Sequence, residues 1–229
     1  MLKSFKNIFY LFFPELCLTC ENPLQSGEKH LCTHCLHELP LTNFCIEEDN
    51  IIEKIFYGRI PLQSATTLLY FHKKGNVQKL IHQLKYRGKQ KVGKFLGNWL
   101  GENIKQSNRF RDIDCIIPVP LHPKKLKQRG YNQLSFFGES LSKILDIPFY
   151  EDVLIRKEHA AAQAFKKLSE RARVKENVFE IVAPDKIKNK HILLIDDVIT
   201  TGATLETCCI SILDVSDTKV SVATMAYTV

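Results

Sequence analysis

The chain has 229 residues and a mass of 26.4 kDa, room for one well-buried domain and a small accessory module but not for two full-sized domains. With 45% hydrophobic and 25% charged residues, and no run near the roughly 20 apolar residues that a membrane helix needs, it reads as a soluble, globular protein with no membrane span. The net charge of +7 is unevenly placed: residues 73–129 hold 15 Lys and Arg against Glu102, Asp112 and Asp114, a local +12, while the rest carries 17 basic against 22 acidic side chains, or −5. Such a block either draws phosphates, on a nucleotide, a nucleic acid or a lipid head group, or forms a solvated helix face.

In chain order, the first segment imitates a secretion signal, with Lys3 and Lys6 ahead of an apolar run at residues 8–13. That run spans only six residues, and Pro14 and Glu15 stand where a small-residue cleavage site belongs. Leu2, Phe5, Phe9 and Phe12 instead form the stripe of an amphipathic helix, which is the expectation here. Next come two Cys-x2-Cys knuckles, Cys17 with Cys20 and Cys32 with Cys35, separated by eleven residues. Each pair can grip one side of a tetrahedral zinc ion, and with no secretory signal to suggest an oxidising compartment, Zn2+ is favoured over two disulfides. Cys45 follows alone as a spare or alternative ligand, while Cys115, Cys208 and Cys209 sit in apolar surroundings as core residues. The first module, helix plus zinc site, is placed at residues 1–60, ending in the turn-prone YGRIPL.

Residues 61–229 form the main domain. ATTLLYFH (65–72) reads as a strand, and apolar residues at helical spacing run from Val77 to Ile104, split into two helices near YRGKQ. Gly93, Gly97 and Gly101 recur every four positions in the second, as a packing ridge. IDCIIPVP is a buried strand, YNQLSFFGESLSKILDI a helix, FEIVA and HILLIDD further strands, ATLETCCISILDV a helix and KVSVATMAYTV a last strand. Alternating strands and helices define an α/β fold with a parallel sheet flanked by helices, which binds ligands at the carboxyl ends of its strands.

The segment ILLIDDVITTGATLETC (192–208) puts two carboxylates at such a strand end, before a turn into a helix. The first N–H groups of that helix lack intrahelical partners. With the hydroxyls of Thr200, Thr201 and Thr204, and with Gly202 permitting a tight turn, they suit a phosphate monoester. Carboxylates repel phosphate, so Asp196 and Asp197 are expected to face the 2′- and 3′-hydroxyls of the same ligand. A ribose 5-phosphate satisfies both halves.

The thirteen residues ILLIDDVITTGAT resemble the phosphoribosyl-pyrophosphate (PRPP) motif of type I phosphoribosyltransferases. Together with LIHQLKYRGKQKVGKFLG, DCIIPVPLHPKKLKQRGYNQ and AAQAFKKLSERARVKENVF behind a zinc module, they resemble the ComF/GntX family of competence-type proteins. The resemblance implies a type I phosphoribosyltransferase-like domain behind a small zinc-ribbon-like module, in a bacterial cytoplasmic protein that handles incoming single-stranded DNA during transformation. It also implies a competence helicase or other DNA-processing proteins as partners, and Mg2+ accompanying PRPP. The substrate-binding set is then Asp196, Asp197, Val198, Thr200, Thr201, Gly202, Ala203 and Thr204.

By position in that fold, PVPLHPKK is the pyrophosphate loop. Because Pro118, Pro120 and Pro123 have no N–H, only Val119, Leu121 and His122 can donate from the backbone there. Lys85, Arg87, Lys124, Lys125, Lys127 and Arg129 can serve a pyrophosphate or a nucleic-acid backbone equally well. Residues 156–173, with Lys166, Lys167 and Arg171, are either a lid over the site or a plain basic helix. Tyr86 beside Lys85 and Arg87, and Tyr131 near Arg129, either stack on bases or simply pack. Two readings stand: a module that binds PRPP and single-stranded DNA, which the donor-poor loop favours, or a working phosphoribosyltransferase acting on a nucleobase-like acceptor.

Overall fold

The computed structural model describes residues 13–157 and 178–229. The expected N-terminal helix and the lid candidates Lys166, Lys167 and Arg171 lie outside those residues. Among them, no helix is long and apolar enough to cross a membrane. The elements are α1 (Thr33–His37), α2 (Ile51–Phe56), β1 (Ala65–Phe71), α3 (Asn76–Tyr86), α4 (Lys91–Gln106), β2 (Cys115–Pro118), α5 (Pro123–Arg129), α6 (Ser135–Leu145), β3 (Leu154–Arg156), β4 (Phe179–Ile181), β5 (His191–Ile199), α7 (Ala203–Leu213) and β6 (Lys219–Thr228).

Four strands form one parallel sheet in the order β1-β6-β5-β2, so β5, which carries the two aspartates, is internal. Its first half, Ile192 to Ile195, is wholly buried. Unbroken apolar runs of this kind suit a parallel strand covered on both faces. FEIVA does not join this sheet: β4 pairs antiparallel with β3 in a separate two-stranded ribbon. Each of these strands is three residues long with one fully buried side chain, Leu154 or Phe179, too little apolar surface for a place inside a doubly covered sheet.

Both outer strands are hydrogen-bonded on their far sides. The segment at residues 40–42 runs antiparallel along β1: the Thr42 N–H donates to Leu68 O at 3.2 Å and the Tyr70 N–H to Pro40 O at 2.8 Å. Along β2, the Ile116 N–H donates to Pro148 O and the Tyr150 N–H to Ile116 O, each at 2.9 Å. Helix α2 is tied to the start of β1 by Asn50, whose side-chain amide donates to Ala65 O at 2.9 Å, and by Glu53, which accepts from the Ala65 N–H at 3.0 Å and pairs with Arg109.

The glycine ridge of α4 lies against α6. A Cβ on Gly97 would sit 2.6 Å from the Phe137 carbonyl oxygen, and one on Gly101 would meet Ile144 at 3.2 Å. The helices approach this closely only because the ridge has no side chains. Gly97→Ala should therefore destabilise the protein by about 1–3 kcal/mol, an overpacking cost read as a lower thermal midpoint. An unchanged midpoint would mean the two helices part freely.

Candidate functional site

The turn after β5 is built by backbone shape. Gly202 adopts φ +75°, a left-handed conformation that costs glycine nothing, and it serves as the N-cap of α7 without any side-chain cap. No side chain caps the first amides of α7, which have no partner within the helix. The turn, with Asp196, Val198 and Leu205, encloses a cleft of about 60 Å3. Thr200, Thr201 and Thr204 are exposed around it. Of the expected two carboxylates, three hydroxyls and helix N-terminus, the cleft brings together one carboxylate, Asp196, with the hydroxyls and the helix end.

The two aspartates do not face the same way. β5 remains extended through Ile199, and side chains alternate between the faces of a strand. Asp196, with Val198, borders the cleft. Asp197 points to the opposite face, where one oxygen accepts from Lys85 Nζ at 2.8 Å and the other from Gln133 Nε2 at 2.8 Å. Its side chain is 8% exposed. The pairing of both carboxylates with ribose hydroxyls is therefore not what the ligand-free geometry shows: Asp196 alone borders the phosphate-sized cleft. Burial first, and the neighbouring Asp197 carboxylate second, push the Asp196 carboxyl up to about 8, with the Asp197 N–H pulling the other way.

The loop after β2 offers fewer donors than its sequence allows. The Val119 N–H is used by the sheet, donating to Ile195 O at 2.9 Å, which leaves Leu121 and His122. The loop then forms α5, whose three lysines, Lys124, Lys125 and Lys127, are exposed and make no ion pair among the described residues. This short helix was not separable in the sequence from its proline-rich flank, although Pro123 at its first turn and Gly130 after its end (φ 76°) are the expected start and stop signals.

The segment is pinned to the end of α3. The Tyr131 hydroxyl donates to Leu84 O, Arg129 lies 5.3 Å from the Tyr86 ring centre, and Arg129 Nη1 donates to Gln133 Oε1 at 2.8 Å. Tyr131 is thus a strut. Tyr86 is 64% exposed, but Arg129 rests on its ring and His82 leans on it at 5.0 Å. Arg87 is exposed beside it. Within the basic block, Lys85 is committed to Asp197 and 21% exposed, and Arg109 to Glu53 and 14% exposed.

The four knuckle cysteines converge as expected. Their sulfurs all lie within 4.8 Å of one another, with Cys20 and Cys32 3.7 Å apart. Four ligands about 2.3 Å from one tetrahedral zinc are themselves about 3.8 Å apart, so the donor set fits such an ion. Burial raises the Cys17 thiol, but the N–H groups of Cys20, Cys32 and Thr19 outweigh it and bring the thiol down to about 6. Cys45 is elsewhere: it is buried, with its sulfur 3.3 Å from Thr66 Oγ1. The His30 ring lies tilted against Phe95 at 5.8 Å and His34 sits 3.5 Å from Glu38. Cys115, Cys208 and Cys209 are fully buried core residues.

The profile of the phosphoribosyl transferase domain matches residues 135–228, from α6 through β6. Competence protein F of Haemophilus influenzae is 26% identical over 205 residues, covering 85% of this chain and 89% of that protein. DNA utilization protein YhgH of Escherichia coli K12 is 26% identical over 210 residues with the same coverage, and Competence protein ComFC of Bacillus subtilis is 23% identical over 191, covering 83% and 75%. The parallel sheet and the threonine-glycine turn at the end of β5 define a phosphoribosyltransferase-type domain preceded by a four-cysteine metal-site module. Along most of its length the chain is similar to these competence and DNA utilization proteins, whose names are those of the ComF family it resembles.

Proposed function

We propose that this protein binds PRPP or a related ribose 5-phosphate ligand at the turn after β5 and engages single-stranded DNA through its basic surface, as a cytoplasmic component of DNA uptake or utilisation. The observation that carries this reading is the placement of Asp196 beside the open amides and exposed hydroxyls of residues 200–204. Phosphate goes to the helix N-terminus and a sugar hydroxyl to the carboxylate. Mg2+ would accompany the pyrophosphate of PRPP, and a structural zinc would occupy Cys17, Cys20, Cys32 and Cys35.

Binding is favoured over catalysis by the pyrophosphate loop. With three prolines and the Val119 amide already committed, it provides little of the oxyanion cradle that phosphoribosyl transfer requires. The exposed lysines of α5 beside it supply charge without fixed geometry, which suits a polyanion. The relatives' names, competence and DNA utilization, point to the same class of partner.

Calorimetry tests both halves. Ribose 5-phosphate, and PRPP with Mg2+, should bind, and oligo-dT should bind without strong sequence preference. DNA affinity should fall steeply with salt, and replacing Lys124, Lys125, Lys127 and Arg129 together should reduce the slope of log K against log salt by about 0.7 for each DNA phosphate left without its cation. DNA affinity insensitive to both salt and the quadruple change would reduce the basic block to a solvated face.

A further inference from the structure

The phosphate-binding turn is held from behind by the segment at residues 50–59, which lies outside the matched domain. Helix α2 sits directly on the turn: a Cβ on Gly202 would come within 2.9 Å of Ile55 Cγ2 and 3.0 Å of the Phe56 ring. Arg59, just beyond the helix, reaches across. Its guanidinium donates to Ile55 O at 3.0 Å, to Thr201 O at 3.3 Å, and pairs with the Glu206 carboxylate. One side chain thus ties α2, the turn and the first turn of α7 together.

Glu206 makes this link chemically consequential. It occupies the first turn of α7, the end that attracts anions, and a carboxylate there competes with a bound phosphate for the same helix field. Its side chain is 17% exposed, so water screens it poorly. The arginine fork matches a carboxylate and a carbonyl together, and it carries its charge at every working pH. Asn50 and Glu53 anchor the other end of α2 to β1, so Arg59 extends from a fixed base.

We propose that Arg59 is a positioning residue for the phosphate-binding turn, holding the Thr201 carbonyl back so that the amides face the ligand and cancelling the charge of Glu206 beside the phosphate. This rests on the ribose 5-phosphate reading, and it adds that the phosphate site of the α/β domain is completed by the chain that precedes it.

The test measures ribose 5-phosphate affinity by calorimetry and backbone order parameters of residues 200–204 by NMR in the ligand-free protein. Arg59→Ala should weaken binding on the order of tenfold or more and lower the order parameters from rigid values of about 0.85. Arg59→Lys, which keeps the charge and loses the fork, should fall between the two. Adding Glu206→Gln to Arg59→Ala should restore part of the affinity without restoring order, a response that simple destabilisation would not produce. Wild-type affinity and unchanged order in Arg59→Ala would overturn the proposal, and a double variant no tighter than the single one would overturn the charge role. Loosened order in Arg59→Ala in a protein whose wild type binds no ribose 5-phosphate would support the brace and refute the ribose 5-phosphate reading.

Discussion

At pH 9, where the Asp196 carboxyl is ionised, Asp196→Asn should weaken ribose 5-phosphate binding by about ten- to a hundredfold, whereas Asp197→Asn should chiefly lower stability. A hydrogen bond to a charged group contributes about 1.5–3 kcal/mol, the equivalent of that affinity range. Only Asp196 borders the cleft. Asp197 is engaged by Lys85 and Gln133, and its replacement leaves a largely buried ammonium without a counter-charge. That loss should cost about 1–3 kcal/mol, a drop of several degrees in the thermal midpoint of a chain this long. Equal affinity losses in the two single variants, with no difference in stability, would show that the ligand draws both carboxylates to itself.

The pH dependence separates the two further. With its carboxyl pushed up to about 8, Asp196 gains its negative charge late, so ribose 5-phosphate affinity should climb between pH 7 and 9 and do so less in Asp196→Asn. The phosphate's own ionisation, near pH 6, is complete before this window. For stability the sign is opposite. A carboxyl whose folded pKa is raised contributes stability present below its unfolded value near 3.9 and lost as pH rises through about 8. Asp196→Asn should therefore unfold at a higher temperature than wild type at pH 9, with the advantage shrinking toward pH 4. Coincident curves at both pH values would remove the carboxylate's burial cost from the account.

The second large effect concerns the metal. The segment around the four cysteines has little core of its own, and zinc binding to such cysteine sets supplies apparent energies of about 10–16 kcal/mol at pH 7. The purified protein should contain one zinc per chain. Its removal by a chelator, or the paired change Cys17→Ser and Cys35→Ser, should collapse the amide dispersion of residues 13–39. The methyl signals of Ile192 and Ile195, buried at the centre of the sheet, should be untouched. A metal-free protein whose N-terminal amides stay dispersed would refute the assignment.

Legibility differed by the kind of pattern involved. The run ILLIDDVITTGAT declared both its strand and its turn, because buried parallel strands are continuously apolar and because glycine among threonines marks a sharp entry to a helix. The cysteine spacing and the glycine ridge were equally readable, each being a short-range rule. Adjacency in sequence misled at one point: Asp196 and Asp197 read as a pair, yet strand alternation turns them to opposite faces. The partners that decide their roles, Lys85 and Gln133, come 112 and 64 residues earlier. Arg59 was invisible for the same reason, since nothing local distinguishes it from any surface arginine in a turn. FEIVA failed as a strand of the parallel sheet, and its partner β3 went unread, because three residues carry too little pattern to show a pairing direction.

The hydrogen bonds along the outer sides of β1 and β2 bear on how the protein can assemble. An open strand edge is a template on which another chain can add a strand, whether a partner's peptide or a second copy on the way to a fibril. Here residues 40–42 close one edge and residues 148–150 the other, so strand addition would first require stripping away part of the native chain. At the four-stranded sheet, a partner is therefore met by side chains on helices and loops, and two copies of the chain are guarded against joining through their parallel sheets.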